Sequence, residues 1–315
     1  MIYQKIEQSL HQQNWNKEPH NLYAPIAYTL ESGGKRMRPA LALIACQMFD
    51  GNLQEAMPAA MALEIFHNFT LLHDDVMDNA DERRGRPTVH RKWNTNTAIL
   101  SGDQMLIEAY KLIAQVPQDY ALKCLALFSD MATEICEGQQ YDMDFEIRND
   151  VTLDEYLLMI QKKTAVLLGT SLQMGAMIAG ASEFIQATIY HIGINMGIAF
   201  QLRDDYLDTF GNAATFGKKI GGDILEKKKT YLYINAYLKA NEQQKKELDK
   251  WFAAEQADEK IANITRLYKE IGVDQLCLEA IEHYNQEARR LLEKFRAENK
   301  QALYDILNKL ETRNS

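Results

Sequence analysis

The chain has 315 residues, 46% of them apolar, and carries a formal charge of −9. That length admits one large domain or two average ones, and the apolar share is that of a globular chain with a substantial core. The acidic balance excludes a general nucleic-acid binder, but local Lys and Arg clusters leave a small anionic substrate open.

The N-terminal stretch MIYQKIEQSLHQQNW is too polar for the apolar core of a signal peptide. From there apolar residues recur every three or four positions, without sustained alternation, which predicts an all-α protein. The spacing predicts helices over 19–32, 37–49, 54–79, 88–115, 118–147, 153–180 and 183–211. A Gly- and Lys-rich loop at 212–228 follows, then further helices to the end. No low-complexity linker or short repeat divides the chain, so a single helical domain over 1–315 is expected. The helix at 54–79 is apolar around most of its circumference, as are those at 153–180 and 183–203, and such helices are buried. The pattern therefore predicts a bundle with enclosed central members. The most apolar stretch, Ala165 to Ala181, is interrupted by Gly169, Thr170, Ser171, Gln173 and Gly175. It falls short of the ~20 residues a bilayer requires, so no membrane insertion is expected. Cys46, Cys124, Cys136 and Cys277 form no C-x-x-C pair and read as reduced thiols of a cytoplasmic protein.

Packing does not explain the aspartates. The helix at 54–79 ends in Leu-Leu-His-Asp-Asp-Val-Met-Asp, which places Asp74, Asp75 and Asp78 together. Positions 74 and 78 are ~40° apart around a helix and ~6 Å apart along it, so two like charges share a face at a destabilising spacing. The D-D-x-x-D pattern recurs at Asp204, Asp205 and Asp208. One chance occurrence is expected in roughly ten chains of this composition, and the C-terminal end of a helix disfavours anions. A compensating cation is needed. Oxygen ligands without His or Cys partners point to Mg²⁺ or Ca²⁺ and away from zinc; Mg²⁺ completed by substrate phosphates fits best.

Basic groups stand near both clusters in sequence. Arg83 and Arg84 follow the first; Lys218, Lys219, Lys227, Lys228 and Lys229 follow the second. Lys35, Arg36 and Arg38 lie in GGKRMRP. Any one run alone reads more simply as a solvated face. Together with two metal-type clusters, the runs suit phosphate recognition.

In chain order, GGKRMRP, LLHDDVMDNADERRGRPT, KKTA, FQLRDDYLD and FGKKIGGDILEKKKT resemble the signatures of the trans-isoprenyl diphosphate synthases. The resemblance spans about 30–232. It implies an all-α isoprenoid-synthase bundle around a central cavity, with both aspartate clusters facing that cavity. Mg²⁺ (three ions with substrate bound) would rest on Asp74, Asp78 and Asp204, with Asp75 and Asp208 in support. By the same resemblance Arg83, Lys163, Thr164, Gln201, Lys218 and Lys228 contact the allylic diphosphate, and Lys35, Arg38, His67 and Arg84 contact isopentenyl diphosphate. His67 reads alternatively as a hydrogen-bonded core histidine, although it projects within ~20° of Asp74. Lys227 departs from the family pattern, which has Gly there, leaving Lys227 or Lys229 as alternatives to Lys228. The end, ETRNS, shows no basic closing tail. Relatives are commonly homodimers, and a homodimer is expected.

The implied reaction is ionisation of the allylic carbon–oxygen bond, alkylation of isopentenyl diphosphate and loss of a proton. Lys163, Thr164, Gln201 and Asp204 would act at the reacting centre, and no side chain is an obvious general base. Below the first cluster, Phe69, with Phe66 and Thr70 beside it, is the expected floor for the growing chain; ordinary core packing is the alternative for Phe66. One aromatic there predicts a C15 to C20 product, C20 preferred. Two rivals are a terpene cyclase and a non-catalytic partner subunit. The second Asp cluster, with Lys35, Arg38 and the Arg83-Arg84 pair, argues against the first. Intact clusters argue against the second.

Overall fold

A computed structural model describes residues 2–212, 220–295 and 300–312 of the chain. Apart from one short hairpin, the regular structure there is helical. Two compact units are formed: Met1–Ser129 with Thr170–Ala187, and Asp130–Gly169 with Thr188–Arg296 and Lys300–Ser315.

The first unit begins with α1 (Ile2–Gln12), which buries Ile6 and Leu10. It was not expected from the sequence, because an amphipathic helix this polar gives a weak apolar signal. α2 (His20–Glu31), α3 (Met37–Met48) and α4 (Leu53–Met77) follow close to expectation. Asn52 caps α4 by accepting from the Gln54 N–H at 3.0 Å. Residues 59–66 of α4 are all buried, as a helix apolar all round requires.

A hairpin, β1 (Glu82–Arg83) and β2 (Arg86–Pro87), interrupts the helical pattern where none was expected. The predicted helix at 88–115 is in fact α5 (Val89–Lys92) and α6 (Thr95–Ile113). Asn94 starts the second piece, its side chain accepting from the Thr97 N–H at 2.9 Å. Gly102 of α6 meets α4 so closely that a Cβ there would lie 2.2 Å from His73 Nε2.

α7 (Gln118–Ile147) matches the expected range. The predicted helix at 153–180 is divided. α8 (Leu153–Ile160) starts from a Thr152–Glu155 capping box, Gln161–Ala165 forms a π turn, and α9 (Val166–Ile178) continues. A π turn carries an extra residue and is frequent at functional sites. α10 spans Glu183–Phe210. Small residues set its approach to the π turn: a Cβ on Gly197 would lie 2.4 Å from Ala165 Cα, and one on Gly193 2.5 Å from Gly169 Cα. A Cβ on Gly138 of α7 would lie 2.3 Å from the Lys163 backbone nitrogen. The remainder comprises α11 (Gly222–Glu226), α12 (Tyr231–Lys239), α13 (Glu242–Phe252), α14 (Ala257–Ile271), α15 (Val273–Leu292) and α16 (Gln301–Glu311). Among the described residues no helix is long and apolar enough to cross a membrane.

Candidate active site

The first aspartate cluster ends α4. Asp74 is half-buried and Asp78 is exposed. The Asp78 N–H donates to the Asp74 carbonyl at 2.8 Å, so both side chains leave the helix on one face, a turn apart. Asp75, about 100° away around the axis, is buried and accepts from Arg83 Nε at 2.7 Å. Burial pushes the Asp75 carboxyl up, and Arg83 opposes the rise.

The hairpin aims the two arginines. Arg84 and Gly85 both take positive φ, 54° and 71°, the pattern of a two-residue type I′ turn. Arg83 is therefore left on the strand facing Asp75, while Arg84 turns to donate to the Gly33 carbonyl and, at 3.3 Å, to Ser32 Oγ. Gly34 takes φ +148°, which residues with a side chain rarely adopt, and a Cβ there would press on both terminal nitrogens of Arg84 at 3.1 Å.

In GGKRMRP, Arg36 is a structural residue. It is buried and donates to Glu7 at 3.0 Å, Glu64 at 2.8 Å and the Leu30 carbonyl at 2.8 Å. Arg38 is half-buried with Nε unpaired, and burial lowers its guanidinium to about 10 against the pull of Glu64. Lys35 is exposed. His67 lies within the field of Arg38, Arg84, Arg83 and Arg36; burial first, then those charges, hold its pKa well below the usual value. The imidazole is therefore neutral. Glu64, buried and bonded to Arg36 and Asn68, stands with Glu7 on Arg36 and Asp75 on Arg83 against these guanidiniums, which leaves the group with a net positive charge. Such a cationic excess in a partly dry setting is a site for an anion.

Toward the N-terminus of α4 from Asp74 lies an aromatic group. The Phe69 ring is half-buried, 4.7 Å from His73 and 5.4 Å from Phe66. Phe66 is fully buried and packs edge-on against Phe128 at 5.2 Å. Phe66 thus stands behind Phe69 as core. Thr70 satisfies its hydroxyl on its own helix, donating to the His67 carbonyl at 2.8 Å.

The second cluster lies on α10. Asp204 and Asp208 are half-buried and one turn apart. Asp208 Oδ2 accepts from the Asp223 N–H at 3.0 Å, which fastens α11 to the cluster. Asp205 turns inward and is buried. It accepts from Gln201 Nε2 at 3.1 Å and from the Tyr156 hydroxyl through a short bond, and the Tyr231 N–H also points to it. Burial pushes its carboxyl up to about 7; these bonds oppose the rise and Asp204 adds to it. Gln201 Oε1 in turn accepts from Thr164 Oγ1 at 3.2 Å. Lys163, in the π turn, donates to Asp142 at 2.6 Å.

Of the lysines after the second cluster, Lys218 and Lys219 lie outside the described residues. Lys228 sits with Asp142, Asp223 and Glu226; burial works against its charge, but these carboxylates outweigh it and raise the ammonium. It pairs with Glu226 at 3.1 Å. Lys229 donates instead to the Glu146 and Lys227 carbonyls and lies over Tyr233. Lys227 is exposed at φ 54°, capping α11. A left-handed backbone at a helix C-cap favours glycine, so a lysine is held there at some cost. Lys228 is thus the lysine of the three grouped with Lys163 through Asp142.

Asp142, Tyr156, Asp223 and Glu64 were not singled out in the sequence. Asp223 lies within the signature FGKKIGGDILEKKKT, which is a signal for it; the others carry no local signal. Among the described residues no three His, Cys, Asp or Glu side chains form a closed metal cage. Each cluster offers a pair of hard oxygen ligands on one helix face. That donor set fits Mg²⁺, which takes one or two carboxylates and fills its shell with phosphate and water.

Known proteins resemble this chain along most of its length. The model of the polyprenyl synthetase family matches residues 19–271. A geranylgeranyl diphosphate synthase of Methanosarcina mazei is 44% identical over 223 residues, covering 70% of this chain and 69% of that protein. A geranylgeranyl pyrophosphate synthase of Geoglobus acetivorans is 40% identical over 239 residues, 75% of this chain and 73% of the relative. A crystal structure of a geranylgeranyl pyrophosphate synthase, 47% identical, superposes with a TM-score of 0.94 over 100% of this chain and 98% of that one. Agreement of this extent, together with a helical fold that carries both aspartate clusters, means that the chain belongs to the polyprenyl synthetase family and is a trans-isoprenyl diphosphate synthase, a transferase.

Proposed function

We propose that the protein condenses allylic diphosphates (dimethylallyl, geranyl, farnesyl) with isopentenyl diphosphate, in a Mg²⁺-dependent reaction that ends at the C20 product. The observation that carries this reading is the layout of α4. His67, amid Arg38 and Arg84, and Asp74 share one helix face ~10 Å apart along the axis. One helix side thus offers a group with an excess of cations for one diphosphate and a carboxylate site suited to a metal-bound second one.

Arg38, Arg84 and Lys35 hold isopentenyl diphosphate, and neutral His67 contributes an N–H. The residues assigned to the allylic diphosphate are Arg83, oriented by Asp75, Lys163 and Lys228, grouped around Asp142, and, by the family resemblance alone, Lys218. Asp74, Asp78, Asp204 and Asp208 are the direct or water-mediated metal ligands. Mg²⁺, when bound, supplies Lewis-acid stabilisation of the departing diphosphate. The fixed cations favour the charge that builds on the leaving oxygens, so they stabilise the transition state more than the ground state. The Gln201 and Thr164 oxygens direct their dipoles to the allylic cation. The allylic carbon–oxygen bond breaks, a carbon–carbon bond forms to the isopentenyl alkene, and the carbon beside the resulting cation loses a proton to the released diphosphate, its C–H electron pair becoming the new double bond. Half-buried Phe69, backed by Phe66, limits chain growth. The C20 assignment is supported by the relatives named geranylgeranyl synthases. Geranylfarnesyl diphosphate synthases of Natronomonas pharaonis (37% identical) and Aeropyrum pernix (38%) lie at slightly lower identity.

The test is incubation of purified protein with each allylic donor and labelled isopentenyl diphosphate, with and without Mg²⁺. Metal-dependent C20 product is expected, and Asp74→Asn and Asp204→Asn should each lower kcat by about 10²-fold or more. Full turnover by the double Asn variant would refute the assignment.

A further inference from the structure

The second cluster contains a carboxylate that faces away from its companions. Asp205 is 4% exposed and sits one residue from Asp204, yet its oxygens point into the protein. A buried carboxylate normally pairs with a cation. Here the donors are the Tyr156 hydroxyl, the Gln201 amide and the Tyr231 backbone N–H, all neutral. A cation at this place would repel a metal at Asp204; neutral donors satisfy the carboxylate without that cost.

The bonds form a directed chain. Tyr156 (α8) donates to Asp205 Oδ2, Gln201 Nε2 donates to Asp205 Oδ1, and Thr164 Oγ1 (π turn) donates to Gln201 Oε1. Both Asp205 oxygens accept in this arrangement, Oδ2 from Tyr156 and Oδ1 from Gln201, and this fixes which end of the Gln201 amide the carboxyl group meets. The NH₂ must face Asp205 and the carbonyl oxygen must face Thr164. Tyr156, 2% exposed, holds one carboxylate oxygen so that the other stays aimed at Gln201. Without that hydroxyl the carboxylate has to rotate to recover a donor, and the amide is free to turn its NH₂ toward Thr164.

We propose that Tyr156 is a positioning residue for prenyl transfer, acting through Asp205 to hold the Gln201 carbonyl and Thr164 hydroxyl as an oriented oxygen pair beside the reacting carbon. The inference rests on the reading that Gln201 and Thr164 face the allylic cation. A reversed amide would present a positive dipole to that cation and raise the barrier without affecting diphosphate capture.

The variant is Tyr156→Phe, which keeps the ring and removes only the hydroxyl. Expected is an about 10- to 100-fold fall in kcat, with KM for both diphosphates within about two-fold of wild type. In a Gln201→Ala background the same substitution should change kcat by less than about two-fold, because the group it positions is gone. Wild-type kcat, a loss confined to KM, or a loss that multiplies fully with that of Gln201→Ala would each overturn the proposal. If Tyr156→Phe does not fold, Asp205→Asn makes the same test, with the same kcat loss and the same non-additivity required. Wild-type protein inactive with every allylic donor would instead overturn the reading on which the inference rests.

Discussion

Replacing Phe69 by Ala tests how the chain limits its product. The substitution removes about six carbons from a half-buried ring that touches His73 and Phe66, and an isoprenyl unit adds about five, so the vacancy matches one further condensation. At about 0.8 kcal/mol per methylene, placing that unit among apolar side chains gains up to about 4 kcal/mol. Phe69 is only half-buried, so part of the vacated space already meets solvent, which reduces this to about 2–4 kcal/mol, enough to shift the dominant product by one unit. Because Phe69 is only half-buried, folding should lose about 1–3 kcal/mol, below the 3–5 kcal/mol typical of a core Phe→Ala change. Phe66→Ala is the contrast: that ring is fully buried against Phe128, and its loss should cost about 3–5 kcal/mol. The assay is mass spectrometry of the dephosphorylated prenyl alcohols, with thermal unfolding alongside. Phe69→Ala should shift the main product from C20 to C25 or longer. An unchanged C20 product at normal turnover refutes Phe69 as the floor.

Two further outcomes follow from the backbone and the charges. His67 is held neutral in the folded protein, whereas in the unfolded chain it protonates near pH 6.5. Below that pH the unfolded state binds the extra proton, so the stability due to His67, complete above about pH 6.5, is lost as pH falls, by up to about 1.4 kcal/mol per unit. Urea midpoints from pH 7 to 5 should therefore fall more steeply for wild type than for His67→Gln, and parallel profiles would show that His67 is not the titrating group. Lys227→Gly should relieve a left-handed backbone at φ 54°. Relief of about 1–2 kcal/mol, less the chain entropy glycine adds when unfolded, leaves a gain of about 0.5–1 kcal/mol with turnover unchanged. A lower melting temperature or a slower enzyme would show that the exposed ammonium makes a contact of its own.

Much of the site is legible in the residues because α-helical periodicity is local. Positions 74 and 78, and 204 and 208, share a face by arithmetic, and two such pairs at the ends of apolar helices call for a cation on sequence grounds alone. The arithmetic also places Asp75 and Asp205 off that face. It does not identify their partners: Arg83 reaches Asp75 only because a type I′ turn at Arg84-Gly85 reverses the chain, and Tyr156 meets Asp205 from a helix 49 positions away. The π turn at Gln161–Ala165 was likewise hidden, since its residues carry helical periodicity on both sides; the close backbone contacts at Gly138 and Gly197 accompany it.

The split of the basic run GGKRMRP shows the same division between levels. Three adjacent cations are equal candidates for phosphate in one dimension; burial separates them, committing Arg36 to Glu7 and Glu64 and leaving Arg38 beside His67. From the sequence alone came the helical class and the same-face aspartate pairs, which follow from spacing and residue type, and the family, which follows from the order of the motifs. Tertiary structure decided which of these charges are spent on the fold. That depends on burial and on partners distant in the chain, where the cost of an unpaired ion is set by its surroundings and not by its neighbours in sequence.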